Sequence, residues 1–176
     1  AFVAKLDGVL VLSRFHRQGL PRTARSKALL TSNGIDAAHY VPPGPNRHWH
    51  FMYAAWPTAG LEPLLERWPT IRKTLLASPL ARALGGMLGT PTLHVYYGFP
   101  RWLETMHGES LWYPGWRKRM EQLLKQEGVE YHGMVDYHTI ARAYASCGFY
   151  LFPSDKPETS GLNLMKAQAM GSIPIT

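Results

Sequence analysis

One loop near the end of the sequence combines a carboxylate, a glycine and the start of a predicted helix. Residues 149–174 read FYLFPSDKPETSGLNLMKAQAMGSIP, which is a short apolar run, a polar loop and an apolar pattern with helical spacing over 160–170. A helix that begins at Ser160 and Gly161 directs free backbone N–H groups and the positive end of its dipole at the loop, and this arrangement favours phosphate binding. Gly161 allows the backbone to approach such a ligand closely, and Glu158 supplies a carboxylate that accepts hydrogen bonds.

The rest of the chain predicts the elements that position this loop. Short apolar runs predict strands at 6–12, 28–31, 48–55, 92–97, 129–132, 149–152 and 173–175. Longer runs with helical spacing predict helices at 61–76, 116–127, 137–146 and 160–170. Ser13 is expected to cap a short helix. Alternating strands and helices are typical of an α/β fold with a parallel sheet, right-handed crossovers and helices on both faces.

Ligands of such sheets bind beyond the carboxyl ends of the strands. We therefore expect the functional site to be built from the loops that follow the strands, which are 33–36, 55–60, 98–101, 133–136 and 153–161.

Residues 149–174 resemble the signature of retaining glycosyltransferases with the GT-B fold, the group that contains glycogen, sucrose and mannosyl transferases. That signature is a strand, Pro-Ser, a Glu, a Gly-Leu that opens a helix, Glu-Ala, a small residue, Gly and Pro. The resemblance implies a Rossmann-like sheet that binds a nucleotide-diphosphate sugar, with Glu158 as the catalytic-site residue that accepts hydrogen bonds from sugar hydroxyls. It implies donor binding by Gly60, Gly133, Met134, Val135, Pro153, Ser154, Thr159, Ser160, Gly161, Leu162 and Lys166.

The resemblance also covers earlier parts of the chain. Residues 7–15 and 32–36 are similar to the connection between the two domains of these enzymes, and residues 51–61 to the first strand and phosphate loop of the donor domain. It implies that residues 1–31 end an acceptor domain and connect it to a nucleotide-sugar-binding domain over 32–176. Because both ends of the sequence fall in strand-like segments, we expect a fragment truncated at its C-terminus.

Three donor-site positions depart from the family pattern. Lys166 lies eight positions after Glu158, where relatives carry a second Glu that grips the ribose hydroxyls. A carboxylate accepts two hydroxyl hydrogen bonds, whereas an ammonium group only donates. Trp56 and Ala59 take the places of the cations that neutralise the diphosphate, whose loss costs several kcal/mol of transition-state stabilisation.

Two functions from different classes therefore stay open. The first is an active glycosyltransferase that transfers a sugar from its nucleotide donor to an unknown acceptor, with Lys156 or Arg101 replacing the missing cations. The second is a catalytically inactive structural or interaction subunit of a larger assembly, retained for its fold.

The charge and cysteine content limit other functions. The net charge is +7, but the basic residues are dispersed, so a nucleic-acid interface is not the favoured interpretation. No apolar run reaches the roughly 20 residues that span a bilayer. A single cysteine, Cys147, excludes an internal disulfide and indicates the cytoplasm or another reducing compartment.

The histidines do not predict a metal site from their spacing. His48 and His50 lie two apart in a predicted strand without an evident third ligand, and His132 is expected to end a strand without a specific role. We expect no metal and no cofactor besides the donor substrate. Residues 99–115 are predicted to be a long loop or insertion. The aromatic segment 99–116 is expected to stack on sugar or to contact a partner protein.

Overall fold

The computed structural model describes residues 5–44 and 49–176. The strands are β1 (Val9–Val11), β2 (Ala28–Leu30), β3 (His50–Ala54), β4 (Thr92–Tyr96), β5 (Val129–Gly133), β6 (Phe149–Leu151) and β7 (Ile173–Ile175). The α-helices are α1 (Arg14–Gly19), α2 (Arg22–Arg25), α3 (Leu61–Ala77), α4 (Pro79–Leu84), α5 (Arg101–His107), α6 (Tyr113–Leu123), α7 (Tyr137–Ser146) and α8 (Leu162–Ala169). Short 3₁₀ helices cover Ala37–His39 and Gly85–Leu88.

The main sheet has five parallel strands in the order β5-β4-β3-β6-β7, which confirms the predicted α/β class. The chain enters the sheet at its central strand β3, proceeds outward through β4 to β5, and then crosses to β6 on the other side of β3. The direction of winding therefore reverses between β3 and β6, where loops diverge and leave a crevice. Strands β1 and β2 form a separate parallel pair.

Side chains that alternate along the strands build a core on each face of the main sheet. On one face, Phe51 and Tyr53 pack with residues of α3 and α6, among them Leu65, Trp68 and Met120. On the other face the core contains residues of β3, β6, α7 and α8, which are Met52, Ala54, Tyr144, Tyr150, Ala167 and Met170. The helices on both faces hold the strand ends, and hence the loops of the site, in fixed positions.

Polar contacts also hold α6 against α3. The indole N–H of Trp116 donates to Glu62 at 2.9 Å, and Arg119 pairs with both Glu62 and Glu66. These two carboxylates therefore join helices and are not free charges. Among the described residues, no helix is long and apolar enough to cross a bilayer.

The aromatic segment 99–116, predicted over 99–115 to be a loop, instead contains α5 and the start of α6. Leu103 of α5 is buried, which the local sequence does not show. This aromatic segment is partly buried, because Tyr113 is buried whereas Leu111 and Trp112 are exposed. Helix α6 begins at Tyr113 with a proline in its first turn, a position that tolerates the missing N–H.

Other boundaries differ less. Strand β1 is only partly buried, since Val11 is completely buried and Leu10 is 70% exposed. Helix α8 begins at Leu162 instead of residue 160, because Gly161 adopts a left-handed conformation with φ of 62°. The helix cap at Ser13 is confirmed, since its hydroxyl accepts the His16 backbone N–H at 3.0 Å. The predicted position of His48 lies outside the described residues.

Candidate functional site

A cleft of about 460 Å³ opens at the point where the winding of the sheet reverses. Its walls come from the loop after β3 and the loop between β6 and α8, so it lies where parallel α/β sheets bind their ligands. We call it the first hollow. It is lined by Ala55, Trp56, Thr58, Ala59, Tyr150, Phe152, Ser154, Lys156, Pro157, Glu158, Gly161, Leu162, Asn163 and Leu164.

The loop after β3 is held in a compact form by Tyr53 and Gly60. The buried Tyr53 hydroxyl donates to the carbonyl oxygens of Trp56 and Ala59, at 2.6 and 3.0 Å, and burial raises its pKa well above the ordinary value, with a further contribution from Tyr150. Gly60 has φ of 91° and packs so closely that a Cβ atom there would lie 2.2 Å from the Pro153 carbonyl oxygen. The two loops therefore touch at their base.

Glu158 already makes a hydrogen bond within the loop before α8. Its Oε1 accepts the Ser160 backbone N–H at 3.2 Å. Burial alone would raise the pKa of Glu158, but hydrogen bonds from the backbone of Ser160, Gly161 and Thr159 outweigh burial and lower it. The carboxylate is therefore ionised at neutral pH. The sequence predicts free backbone N–H groups at the start of this helix, but in the structure the Ser160 N–H is occupied by Glu158.

A second hollow of about 340 Å³ adjoins the first and shares Asn163 with it. It lies beyond the carboxyl ends of β4 and β5 and is lined by Ala54, Tyr96, Tyr97, Met134, Val135, Asp136, Tyr137, Ile140, Tyr144, Asn163 and Lys166. The Asn163 amide donates to the Ala54 carbonyl oxygen at 2.6 Å. The Lys166 ammonium lies 5.6 Å from the centre of the Tyr137 ring.

The backbone at the second hollow is unusual at Tyr97. Among the described residues, Tyr97 is the only non-glycine residue with a positive φ, at 89°. A bulky side chain rarely adopts this conformation, and such strain is concentrated at functional sites. The Tyr97 N–H donates to the Gly133 carbonyl oxygen at 2.8 Å, which anchors the strained residue at the end of the sheet.

A third hollow joins the loop before α8 to the segment that follows β2. It is lined by Leu12, Ser13, Phe15, Ser32, Asn33, Glu158, Thr159, Ser160, Gly161, Leu164 and Met165. The Asn33 side-chain amide donates to the Ser160 hydroxyl at 2.7 Å. The segment around Asn33 is thus not an isolated turn but one wall of the site.

The predicted donor-binding residues that line a hollow are distributed over all three of them. Ser154, Glu158, Gly161 and Leu162 line the first hollow; Met134, Val135 and Lys166 line the second; and Thr159 and Ser160 line the third.

Three predicted donor-binding residues are not among the lining residues of the first, second or third hollow. Pro153 faces a hollow beside α3, Gly60 packs against Pro153, and Gly133 ends β5 with φ of 67°. Asn163 is a lining residue that the sequence interpretation missed, although it is a polar residue in the otherwise apolar first turn of α8.

Trp56 and Ala59, the uncharged residues at the positions where the family pattern has cations, line the first hollow. The Trp56 ring is half-exposed and lies 4.6 Å from the Trp102 ring and 6.1 Å from the Tyr97 ring, measured between centroids. Among the described residues that line this hollow, Lys156 is the only cation. Arg101 begins α5 and is not one of these lining residues. Lys156 is therefore the better placed of the two suggested replacements.

No protein-family model matches the sequence, and no curated protein matches it significantly. Solved structures do match. Sucrose-phosphate synthase from Thermosynechococcus elongatus aligns with a TM-score of 0.66 and 16% identity, over 98% of this chain and 41% of that chain. HepE from Anabaena, in complex with UDP and glucose, aligns with a TM-score of 0.66 and 14% identity, over 96% of this chain and 43% of that chain.

A glycosyltransferase from Rickettsia africae aligns with a TM-score of 0.65 and 14% identity, over 96% of this chain and 43% of that chain. This chain spans less than half the length of each of these three proteins. At such low identity the similarity concerns the fold. The chain has the fold of a Rossmann-like half of the GT-B glycosyltransferases.

Proposed function

We propose that this chain binds a nucleotide-diphosphate sugar across the first and second hollows and serves a glycosyltransferase whose acceptor is unknown. The observation that carries the proposal is the position of Glu158 and the start of α8 in a cleft at the reversal of the sheet. The combined hollows are within the size range of sites that enclose small ligands. HepE, which shares the fold, was solved with UDP and glucose and with UDP-glucose.

Each part of the donor has suitable chemistry in this cleft. We assign the sugar to the first hollow, where Glu158 is an ionised acceptor for hydroxyl groups. We assign the diphosphate to the junction beside Gly161, with Lys156 as the neighbouring cation. We assign the nucleoside to the second hollow, between Tyr137 and Lys166. When the sugar binds, its hydroxyls compete with the Ser160 N–H for the Glu158 carboxylate.

The domain assignment is part of this proposal. We propose that residues 1–31 belong to the connection with an acceptor domain and residues 32–176 to the donor domain. Two observations support a connecting segment that borders the donor site from outside the main sheet. Strands β1 and β2 form a separate pair, and Leu12, Ser13 and Phe15 line the third hollow beside the loop before α8.

A catalytically inactive structural or interaction subunit of a larger assembly is the second candidate. The exposed Trp56 and the small Ala59 leave Lys156 as the only described cation in the first hollow, so a departing diphosphate is less well neutralised than in a site with several cations. Lys166 carries a positive charge into the second hollow, where a carboxylate would hold ribose hydroxyls better. These features weaken both donor binding and transfer, and they favour a subunit retained for its fold.

Two assays distinguish the candidates. Thermal unfolding with UDP, UDP-glucose, and uridine plus glucose as control tests binding, because a ligand that binds only the folded state raises the melting temperature. Release of UDP from UDP-glucose, measured on the chain joined to its acceptor domain, then tests turnover. A stabilising shift with UDP release supports the transferase, whereas a shift without release supports the inactive subunit. No shift at millimolar nucleotide would contradict donor binding and favour an inactive structural or interaction subunit.

A further inference from the structure

Three potential metal ligands meet on β4 and β5, away from Glu158. Parallel pairing places His94 directly opposite Glu130, and His132 lies two residues further along β5, on the same face of the strand. The His94 Nδ1 atom is 3.1 Å from His132 Nε2 and 3.4 Å from Glu130 Oε2. The third separation, from His132 Nε2 to Glu130 Oε2, is 4.0 Å.

These distances suit a transition metal ion. The circle through the three ligand atoms has a radius of about 2.1 Å, which is close to the length of zinc–nitrogen and zinc–oxygen bonds. One ion at its centre would therefore reach all three atoms with little movement of the side chains. Two imidazoles and one carboxylate are also a common zinc ligand set, which leaves a fourth position for water.

The surrounding residues orient the two imidazoles. His94 Nε2 lies 3.3 Å from the Thr92 hydroxyl, so this nitrogen can carry the proton and leave a lone pair on Nδ1. Metal-bound histidines commonly hold their second ring nitrogen in this way. The Tyr96 ring stacks on His132 at a centroid distance of 4.4 Å and an angle of 10°, which restricts its rotation.

Without a metal ion, the 3.1 Å contact between His94 Nδ1 and His132 Nε2 is a hydrogen bond whose donor depends on the tautomer. Zn²⁺ would replace the shared proton and bind both nitrogens together with the Glu130 carboxylate. Zn²⁺ binds imidazole nitrogens that carry no proton, so the ligand atoms of both histidines are unprotonated in the metal-bound form.

We propose that His94, Glu130 and His132 form a Zn²⁺ site on the β4–β5 face of the sheet. The site is separate from the proposed sugar position, and it borders the second hollow through Tyr96. Zinc would join the outer strand β5 to β4 at an exposed surface, where the Glu130 side chain is 54% accessible. Its place in the fold suggests that it stabilises the edge of the sheet and takes no part in glycosyl transfer.

Calorimetric titration of the chelator-treated chain with ZnCl₂ tests the site. We expect one Zn²⁺ per chain and no comparable binding of Mg²⁺, which prefers oxygen ligands. His132→Asn and Glu130→Gln should each weaken Zn²⁺ binding by about tenfold or more. Far-UV circular dichroism confirms that both variants are folded, and thermal unfolding should show a zinc-dependent stabilisation that both variants lose.

His138→Asn is the matched control, because His138 is an exposed histidine on α7 whose ring lies near that of His39. Its Zn²⁺ affinity should equal that of the parent chain. Parent-like affinity in both His132→Asn and Glu130→Gln would overturn the proposal, as would loss of binding in His138→Asn alone. Absence of Zn²⁺ binding by the parent chain would also overturn it.

Discussion

The Gln126 side chain donates to the backbone carbonyl oxygen of Leu65 at 2.9 Å. Within a helix this oxygen would accept the N–H of the residue four positions later, but that residue is Pro69, which has none. Leu65 is completely buried, so its carbonyl oxygen has little access to water. Gln126, which also donates to Leu123 at 2.8 Å, thus replaces a missing helix hydrogen bond from outside the helix.

Gln126→Ala should lower the free energy of unfolding by about 1–3 kcal/mol, because a buried acceptor loses its partner. Urea denaturation measures this loss. Gln122→Ala, at an exposed position of α6, should have little effect. In a Pro69→Ala background the helix regains its own N–H donor, so the effect of Gln126→Ala should shrink. Equal losses in both backgrounds would refute this role.

Gly60→Ala should destabilise the chain by about 1–3 kcal/mol, because an added Cβ meets the Pro153 backbone at a positive φ. Chemical denaturation measures the effect. Gly86→Ala is the matched control, since its Cβ would have no neighbour within 4 Å. If the two glycines tolerate alanine equally, the close contact at the base of the two loops is not maintained in solution.

The carboxylate of Asp136 caps α7 by accepting the Thr139 backbone N–H at 2.8 Å and its hydroxyl at 2.7 Å. The Thr139 side-chain and backbone hydrogen bonds lower the pKa of Asp136 to about 2. A lowered pKa adds stability above the unfolded-state value, and this contribution disappears as pH falls through the folded-state value.

Asn retains the capping geometry without the charge. The melting temperature of the parent should therefore exceed that of Asp136→Asn by a constant amount above pH ~4, and the two should converge towards pH ~2. Thermal unfolding followed by circular dichroism across this range measures the difference. A difference that does not change with pH would exclude a contribution from the Asp136 charge.

Lys166→Glu should tighten UDP binding by about tenfold, because a carboxylate in the second hollow accepts hydrogen bonds from ribose hydroxyls. Lys156→Glu should have the opposite effect, because it removes a cation from the first hollow. Calorimetric titration with UDP measures both. Weaker binding in both variants would mean that charge alone determines nucleotide affinity and would remove the reason for placing ribose beside Lys166.

Much of the sheet could be predicted because strands such as β6 and β7 are short apolar runs between clear helical patterns. The position of Glu158 before a helix followed from the same patterns. Helix α5 could not be predicted, because the local sequence does not show the burial of Leu103. The number of free backbone N–H groups at the start of α8 could not be predicted either. The rotamer of Glu158 decides whether its carboxylate accepts the Ser160 N–H.

Contacts between strands were the least accessible to sequence reasoning. His94 and Glu130 are 36 positions apart and meet only through the register of β4 and β5. Asn33 and Ser160 lie in loops 127 positions apart, and their contact makes the early segment part of the site. Spacing within one segment contains no information on such pairs, so a metal site was not expected.

The proposal that Glu158 binds the sugar of a nucleotide donor is tested most directly by comparing the affinities of UDP and UDP-glucose. In the parent chain, calorimetry should show tighter binding of UDP-glucose. Glu158→Gln should lose this preference and retain UDP binding, whereas Asp155→Asn, a neutralised carboxylate in the same loop, should behave like the parent. Equal affinities of the parent for UDP and UDP-glucose, or an unchanged preference in Glu158→Gln, would contradict the assignment of the sugar to Glu158.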